Sequence, residues 1–268
     1  PLVAQVTARD HGFTINEELL RQQTRLTLAD FSDRTDQLNA GTGIGGKSMT
    51  VAFALWALDV AGHQPDDTTT AMVTYLLKTQ KPDGRFFVSK SRPPLEDSPA
   101  TSVTLAAYYL QRFASENQEA SATTAVATSR RWLLAYQPQS QEDRNSRLWG
   151  VHLFDGGSEE LESARKAVLE TQREDGGWAQ LPDRKSDAYA TGQSLWVLQE
   201  TGLATEDPAY QRGLRFLLER QEKDGSWHVA TRSKPIQRYY ESGFPHGVDQ
   251  FISISATSWA VAALAASR

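Results

Sequence analysis

The sequence predicts an all-α fold, a double-layered ring of helical hairpins, and two observations carry that prediction. The first is a recurring phrase: a hydrophobic pair, two residues, a glutamine, then an Asp-Gly turn followed by an aromatic. It reads Leu76-Leu77-x-x-Gln80-x-x-Asp83-Gly84-x-Phe86, then Val168-Leu169-x-x-Gln172-x-x-Asp175-Gly176-x-Trp178, then Leu217-Leu218-x-x-Gln221-x-x-Asp224-Gly225-x-Trp227. A fourth copy, Leu133-Leu134-x-x-Gln137, keeps the helical half without the turn. Self-similarity at a fixed period means stacked supersecondary units. Gln80 to Gln172 spans close to twice the distance from Gln172 to Gln221, so each unit holds about two helices.

The second observation is that two kinds of helical pattern alternate. An outer helix is expected over 15–38, and amphipathic ones ending in the repeated phrase over 66–79, 120–136, 159–171 and 208–220. Between them lie segments rich in small residues and apolar on more than one side: 47–61 (Met49, Val51, Phe53, Leu55, Trp56, Leu58), 99–113, 186–199 and 252–266. The segment 143–154 supplies a short inner helix for the turnless unit. An amphipathic set and an all-round apolar set read as outer and inner layers, and the whole of 1–268 as one domain.

Inner helices begin alike. Asp97-Ser98-Pro99-Ala100-Thr101 precedes one, Asp187-Ala188-Tyr189-Ala190-Thr191 another, and Ala256-Thr257 marks the same place in the last. An Asp there accepts hydrogen bonds from free N–H groups and favours the positive end of the helix dipole. In the repeated corner, Gly takes a left-handed conformation that ends the outer helix, Gln bonds exposed carbonyls, and the aromatic packs on the next unit.

Composition narrows the function classes. Hydrophobic residues make up 39 %, with seven Trp, eight Tyr and ten Phe, which is globular. A net charge of −5 with no basic block argues against nucleic acid and anionic membrane surfaces as partners. The absence of cysteine excludes disulfides and thiolate metal sites and leaves the compartment open, cytoplasmic or exported. No integral membrane segment is expected, because Asp59 and Ser255 with Ser258 interrupt the longest apolar stretches. A start at Pro1 without Met reads as a mature form or a piece of a longer chain with additional domains.

The Gln-x-x-Asp-Gly-x-Trp phrase, with the alternating helices, resembles the repeat of the squalene-hopene cyclase and prenyltransferase superfamily, from about residue 15 to the end. Phrases such as Ser186-Asp187-Ala188-Tyr189-Ala190-Thr191-Gly192 and Glu241-Ser242-Gly243-Phe244-Pro245-His246-Gly247 are similar to those of uncharacterised bacterial squalene-cyclase-like proteins. The resemblance implies an α/α toroid whose inner helices line a central cavity. Class II terpene cyclases protonate an alkene with an Asp-x-Asp-Asp acid that opens an inner helix. Aligned on the Thr, this chain offers Asp97-Ser98-Pro99-Ala100 and Asp187-Ala188-Tyr189-Ala190, with only the first Asp in each. Gln64-Pro65-Asp66-Asp67-Thr68 precedes an outer helix, so Asp66 reads as a cap. Prenyltransferase β-subunits hold zinc with Asp, Cys and His, and complement-like thioester domains need a cysteine; neither set exists here.

Other constellations are weaker. Gly41-Thr42-Gly43-Ile44-Gly45-Gly46-Lys47-Ser48 matches the P-loop pattern, yet the polar Ser32–Asn39 segment before it is not the buried strand that a phosphate cradle needs. It reads as a Gly-rich lead into the first inner helix. His11, His63, His152, His228 and His246 show no paired metal spacing, and neither metal nor cofactor is expected. The long stretch after Trp227 carries Tyr239, Tyr240, Glu241, Phe244, His246 and Asp249, and loops of that length inside a compact domain are usually functional. Glu241, His246 and Asp249 are therefore candidate acid/base groups with Asp97 and Asp187. Tyr239, Tyr240 and Phe244 are candidate ligand contacts, as are Trp149 and Tyr189 among the inner-helix aromatics that include Trp196 and Trp259. Three functions follow as expectations: a cyclase-like cavity for a hydrophobic or isoprenoid molecule without the usual acid motif; a carbohydrate-binding or carbohydrate-cleaving toroid; or a non-catalytic interaction domain.

Overall fold

The computed structural model describes residues 1–234 and 238–268. Among them are twelve α-helices and no strand. They are α1 (Leu2–Asp10), α2 (Glu17–Ser32), α3 (Thr35–Ala40), α4 (Lys47–Val60), α5 (Asp67–Thr79), α6 (Pro99–Arg112), α7 (Glu119–Ala135), α8 (Gln141–Leu153), α9 (Ser158–Leu169), α10 (Ala188–Glu200), α11 (Pro208–Leu218) and α12 (Gln250–Ala266).

Short polar side chains start half of these helices by accepting a bond from a free N–H. Asn16, Asp66, Ser98, Ser140, Asp187 and Asp207 each do so, and Asp66 with Thr69 and Ser140 with Asp143 form reciprocal boxes. The expected cap at Asp187 is present. On α6 the cap is Ser98, and Asp97 lies one residue earlier. Pro99 accounts for this: it occupies the first helical position, and a residue before proline is driven to extended backbone.

The two helix kinds separate as their patterns require. All of α10 from Ala188 to Leu198 is buried, whereas α9 buries only Ala164 and Val168. Neighbours run in order: α4 packs on α6, α6 on α8, α8 on α10, α10 on α12, and α1 lies against both α12 and α4. The helices α5, α7, α9 and α11 pack on members of that set and keep charged faces in water. No element was expected over α1, whose nine residues bury only Ala4, Val6 and Ala8. The expected 15–38 helix is divided at Asp33–Arg34 into α2 and α3.

Each corner is a set of bonds between consecutive units. Gln172 Nε2 donates to Gly176 O at 2.8 Å and to Ala209 O, at the start of α11, at 2.7 Å. Gln80 Nε2 likewise reaches Ala125 O of α7 at 2.9 Å. Trp178 and Trp227 are fully buried, and their indole N–H groups donate to Val168 O and Leu217 O, both at 2.8 Å. Those carbonyls lie in the last turn of α9 and α11, so the indoles tie each corner to the end of the helix before it. The backbone N–H of each Trp then bonds the Thr of the following buried helix, Thr191 Oγ1 of α10 at 2.9 Å and Thr257 Oγ1 of α12 at 3.1 Å.

One stretch, Gly247–Ala266, is long and apolar enough to cross a bilayer, with a mean hydropathy of 1.2. It contains α12, which packs along α10 and α1 and buries Ile252, Ala256, Ala260 and Ala263 in the core.

Candidate functional site

Helical periodicity on the buried helices brings one group of side chains together at the centre. On α8, Glu142, Asn145, Ser146 and Trp149 recur on one face, and on α10 Tyr189, Gln193 and Trp196 do the same. With Phe53 and Trp56 of α4, Thr101 and Leu105 of α6, and Trp259 of α12, they surround a cavity of about 20 Å³, room for about one water.

The lining has two layers. Four indoles, one from each of α4, α8, α10 and α12, form the aromatic layer. Trp56 to Trp149 is 5.0 Å between ring centroids, Trp149 to Trp196 and Trp196 to Trp259 are 5.1 Å, and Trp56 to Trp259 is 6.0 Å. The polar layer comes from the first two turns of α6, α8 and α10, and Glu142 is its charged member.

Glu142 is 3 % exposed. Thr101 Oγ1 donates to its Oε1 and Tyr189 OH to its Oε2, each at 2.9 Å, and the Gln193 amide also donates to it. Burial pushes its carboxyl above the usual range, against those hydrogen bonds and with help from the neighbouring Asp143 charge. Tyr189 is held as a phenol by burial and by the Glu142 charge, and the Trp259 indole N–H donates to its oxygen. The donors are braced in turn. Ser146 Oγ lies 2.6 Å from Thr101 Oγ1, and Asn145 Nδ2 donates to Gln193 Oε1 at 2.8 Å. Asp143 faces the other way and accepts from Ser98 Oγ (2.6 Å), Tyr136 OH (3.1 Å), Gln139 N (3.0 Å) and Ser140 N (3.2 Å). It therefore anchors the start of α8 to α6.

Trp149 and Tyr189 of the sequence-derived candidates line this cavity. Asp187 caps α10, accepting from Ala190 N at 2.9 Å and Gln180 Nε2 at 3.0 Å; burial pushes its pKa up to about 6. Asp97 is half-buried beside Ser98, and the Arg232 guanidinium lies within the fields of both Asp97 and Asp187. On the long loop, Tyr239 OH donates to Glu241 Oε2 at 2.7 Å and accepts from Gln250 Nε2 at 3.0 Å. The Tyr240 side chain is exposed, and its carbonyl accepts from Gln250. Asp249 holds His228 Nε2 at 2.7 Å and Thr231 N at 2.8 Å. His246 stacks on His228 at 4.9 Å, lies 2.8 Å from Ser226 Oγ, and has Phe244 against it at 6.2 Å. Glu241 thus bonds Tyr239 within the loop, whereas His246 and Asp249 both meet His228 at the last corner, and none of the three lines the cavity.

Glu142, Thr101 and Gln193 were not anticipated from the sequence. Glu142 stands at the opening of the turnless unit, where no Ala-Thr marker aligns it with the other inner helices. The readable signal was the Ser140-x-x-Asp143 capping box followed by Glu142, Asn145, Ser146 and Trp149 at helical spacing.

A second, apolar pocket of about 350 Å³ adjoins the cavity and shares Phe53, Trp56, Leu95 and Trp259 with it. Leu2 and Val3 of α1 and Ser255 and Ser258 of α12 complete its wall.

No family model matches the chain. It is 27 % identical over 194 residues to drimenyl diphosphate synthase of Streptomyces showdoensis, a terpene cyclase. The match covers 72 % of this chain and 28 % of that enzyme, so the chain spans well under half of its relative. The similarity supports a terpene-cyclase-like relationship for this all-helical chain.

Proposed function

We propose that this chain is an α/α toroid of the squalene-cyclase-like type that takes a hydrophobic, isoprenoid-class chain at its centre and uses Glu142 as the acid in place of Asp-x-Asp-Asp. The carrying observation is one buried carboxyl, gripped by three donors, beside four indoles. The closed succession α1–α4–α6–α8–α10–α12 supports the toroid, and the terpene cyclase relative supports the substrate class. The loop residues favour a glycan or docking role less, because Glu241 bonds Tyr239 and Gly243 N within the loop, apart from the His228–His246–Asp249 group.

An alkene-protonating acid must meet two conditions. It must carry its proton before reaction, and its conjugate base must be stabilised as the proton leaves. Burial shifts Glu142 toward the first, and the Thr101, Tyr189 and Gln193 donors serve the second. The Glu142 O–H bond breaks as a C–H bond forms from the alkene π pair, leaving a carboxylate and a carbocation. The indole faces then stabilise the cation, about 2 kcal/mol or more for each desolvated contact. The 20 Å³ cavity holds no such chain as it stands, so Phe53, Trp56 and Trp259 would turn to join it with the neighbouring pocket. At about 350 Å³, that pocket is within the ~300–1,000 Å³ range of ligand sites.

The test uses linear prenols and prenyl diphosphates of increasing length. Binding is read by tryptophan fluorescence and products by gas chromatography with mass spectrometry. Wild type should quench and give cyclic product, whereas Glu142→Gln should quench equally and give at least about 1,000-fold less product. Undiminished product from Glu142→Gln, or no quenching by any chain, would refute the proposal.

A further inference from the structure

A third pocket, of about 230 Å³, lies beside the first turn of α8 and is lined by Gln141, Arg144, Thr171, Arg173, Gln180 and Pro182, among others. Its chemistry is opposite to that of the aromatic centre. Two guanidinium groups line it, and among its described lining residues there is no carboxylate. Asp187, close by, is turned toward Gln180 Nε2 and the start of α10. Arg173 uses one nitrogen on Leu181 O and Pro182 O. Arg144 has no hydrogen-bond or ion-pair partner among the described residues, although it is only half-exposed. A guanidinium without a partner in a concave polar site is arranged to be completed by an anion, and its planar fork matches phosphoryl oxygens in pairs.

The wall of this pocket is wired to the acid. Thr171 Oγ1 donates to Gln141 Oε1 at 2.8 Å, and Gln141 Nε2 to Asn145 Oδ1 at 3.1 Å. Asn145 Nδ2 continues to Gln193 Oε1 at 2.8 Å, and Gln193 donates to Glu142. Gln141 and Glu142 are also consecutive residues, so an occupant of this pocket and the buried carboxyl flank the same helical turn.

We propose that the Arg144–Arg173 pocket is a binding site for a phosphoryl anion, either the diphosphate head of the chain bound at the centre or free pyrophosphate. The head-group version rests on the function proposed above, whereas the anion site itself does not. A negative charge there favours the protonated form of Glu142 and so keeps the acid loaded while the site is filled.

Isothermal titration of the full chain with inorganic pyrophosphate at low salt is the direct test. Wild type should bind. Arg144→Gln, which breaks no internal bond, should weaken binding about tenfold, while Arg131→Gln on the surface of α7 should leave it unchanged. A prenyl diphosphate and its prenol separate the two sources. If Arg144→Gln weakens the prenyl diphosphate and leaves the prenol unaffected, the head group occupies the pocket. If only pyrophosphate is weakened, the pocket serves free anion. No pyrophosphate binding by wild type, or equal binding by Arg144→Gln, overturns the site. Failure of the prenol alone to bind tells against the central cavity and leaves the anion result standing.

Discussion

Gly176 and Gly225 occupy the same place in two copies of the corner, with φ of +82° and +87°, and their surroundings separate two reasons for glycine. A Cβ at Gly176 would stand 2.6 Å from Arg212 O of α11, while one at Gly225 would meet nothing closer than Gln221 Nε2 at 3.9 Å. Gly225→Ala should therefore cost about 1–2 kcal/mol for the left-handed backbone alone. Gly176→Ala should cost distinctly more, about 3 kcal/mol or above, because a backbone must also move. Urea melts of both variants check this, and equal losses would show that the approach of α11 is not tight. The corner was readable in the sequence because its motif repeats. Gly84, Gly176 and Gly225, however, turn the chain several residues beyond the ends of α5, α9 and α11 at Thr79, Leu169 and Leu218 and do not end those helices. Glu142 was not readable, since its meaning depends on Thr101 and Tyr189, far away along the chain. The α8 spacing of Glu142, Asn145, Ser146 and Trp149 marks one helix face, but the cage itself is a product of packing between distant segments.

At the scale of elements, the alternation of patterns located the repeat helices closely, and disagreements arose where one residue overrode a pattern. Pro99 shifted a cap from Asp97 to Ser98. The missing α1 has a different cause: a nine-residue helix with three small buried residues carries too little periodic signal to stand out. Yet α1 touches both α12 and α4 and walls the 350 Å³ pocket with Leu2 and Val3. Removal of residues 1–10 should leave a folded chain less stable by on the order of 3 kcal/mol. On the function proposed above, it should also speed prenol association several-fold, because Phe53, Trp56 and Trp259 would then face water. Stopped-flow fluorescence checks the rate. An unchanged association rate would mean that chains enter elsewhere.

For the whole molecule, Asp187 makes stability depend on pH in a definite direction. Burial raises its folded pKa to about 6 from the ordinary carboxylate value of 3.8. Its favourable contribution is therefore complete below about 4 and is lost as pH rises through about 6. Asn also caps helices but does not titrate. The unfolding free energy of wild type minus that of Asp187→Asn should accordingly increase as pH falls from 7.5 to 4, by on the order of 2 kcal/mol. Chemical denaturation at several pH values measures it, and a flat difference would show that Asp187 titrates normally. The other shifted surface acids, such as Asp83 beside Arg85, are shared by both proteins and cancel.

The bond between a corner tryptophan and the threonine of the following inner helix joins Trp178 to Thr191 and Trp227 to Thr257 at nearly the same length. In the second case the chain between the two ends is more than twice as long. Both ends are held, and the bond keeps nearly the same length although the chain between them differs in length. That seam is consequently a natural graft point, where foreign segments of chosen chemistry can be spliced in without disturbing the scaffold that carries them.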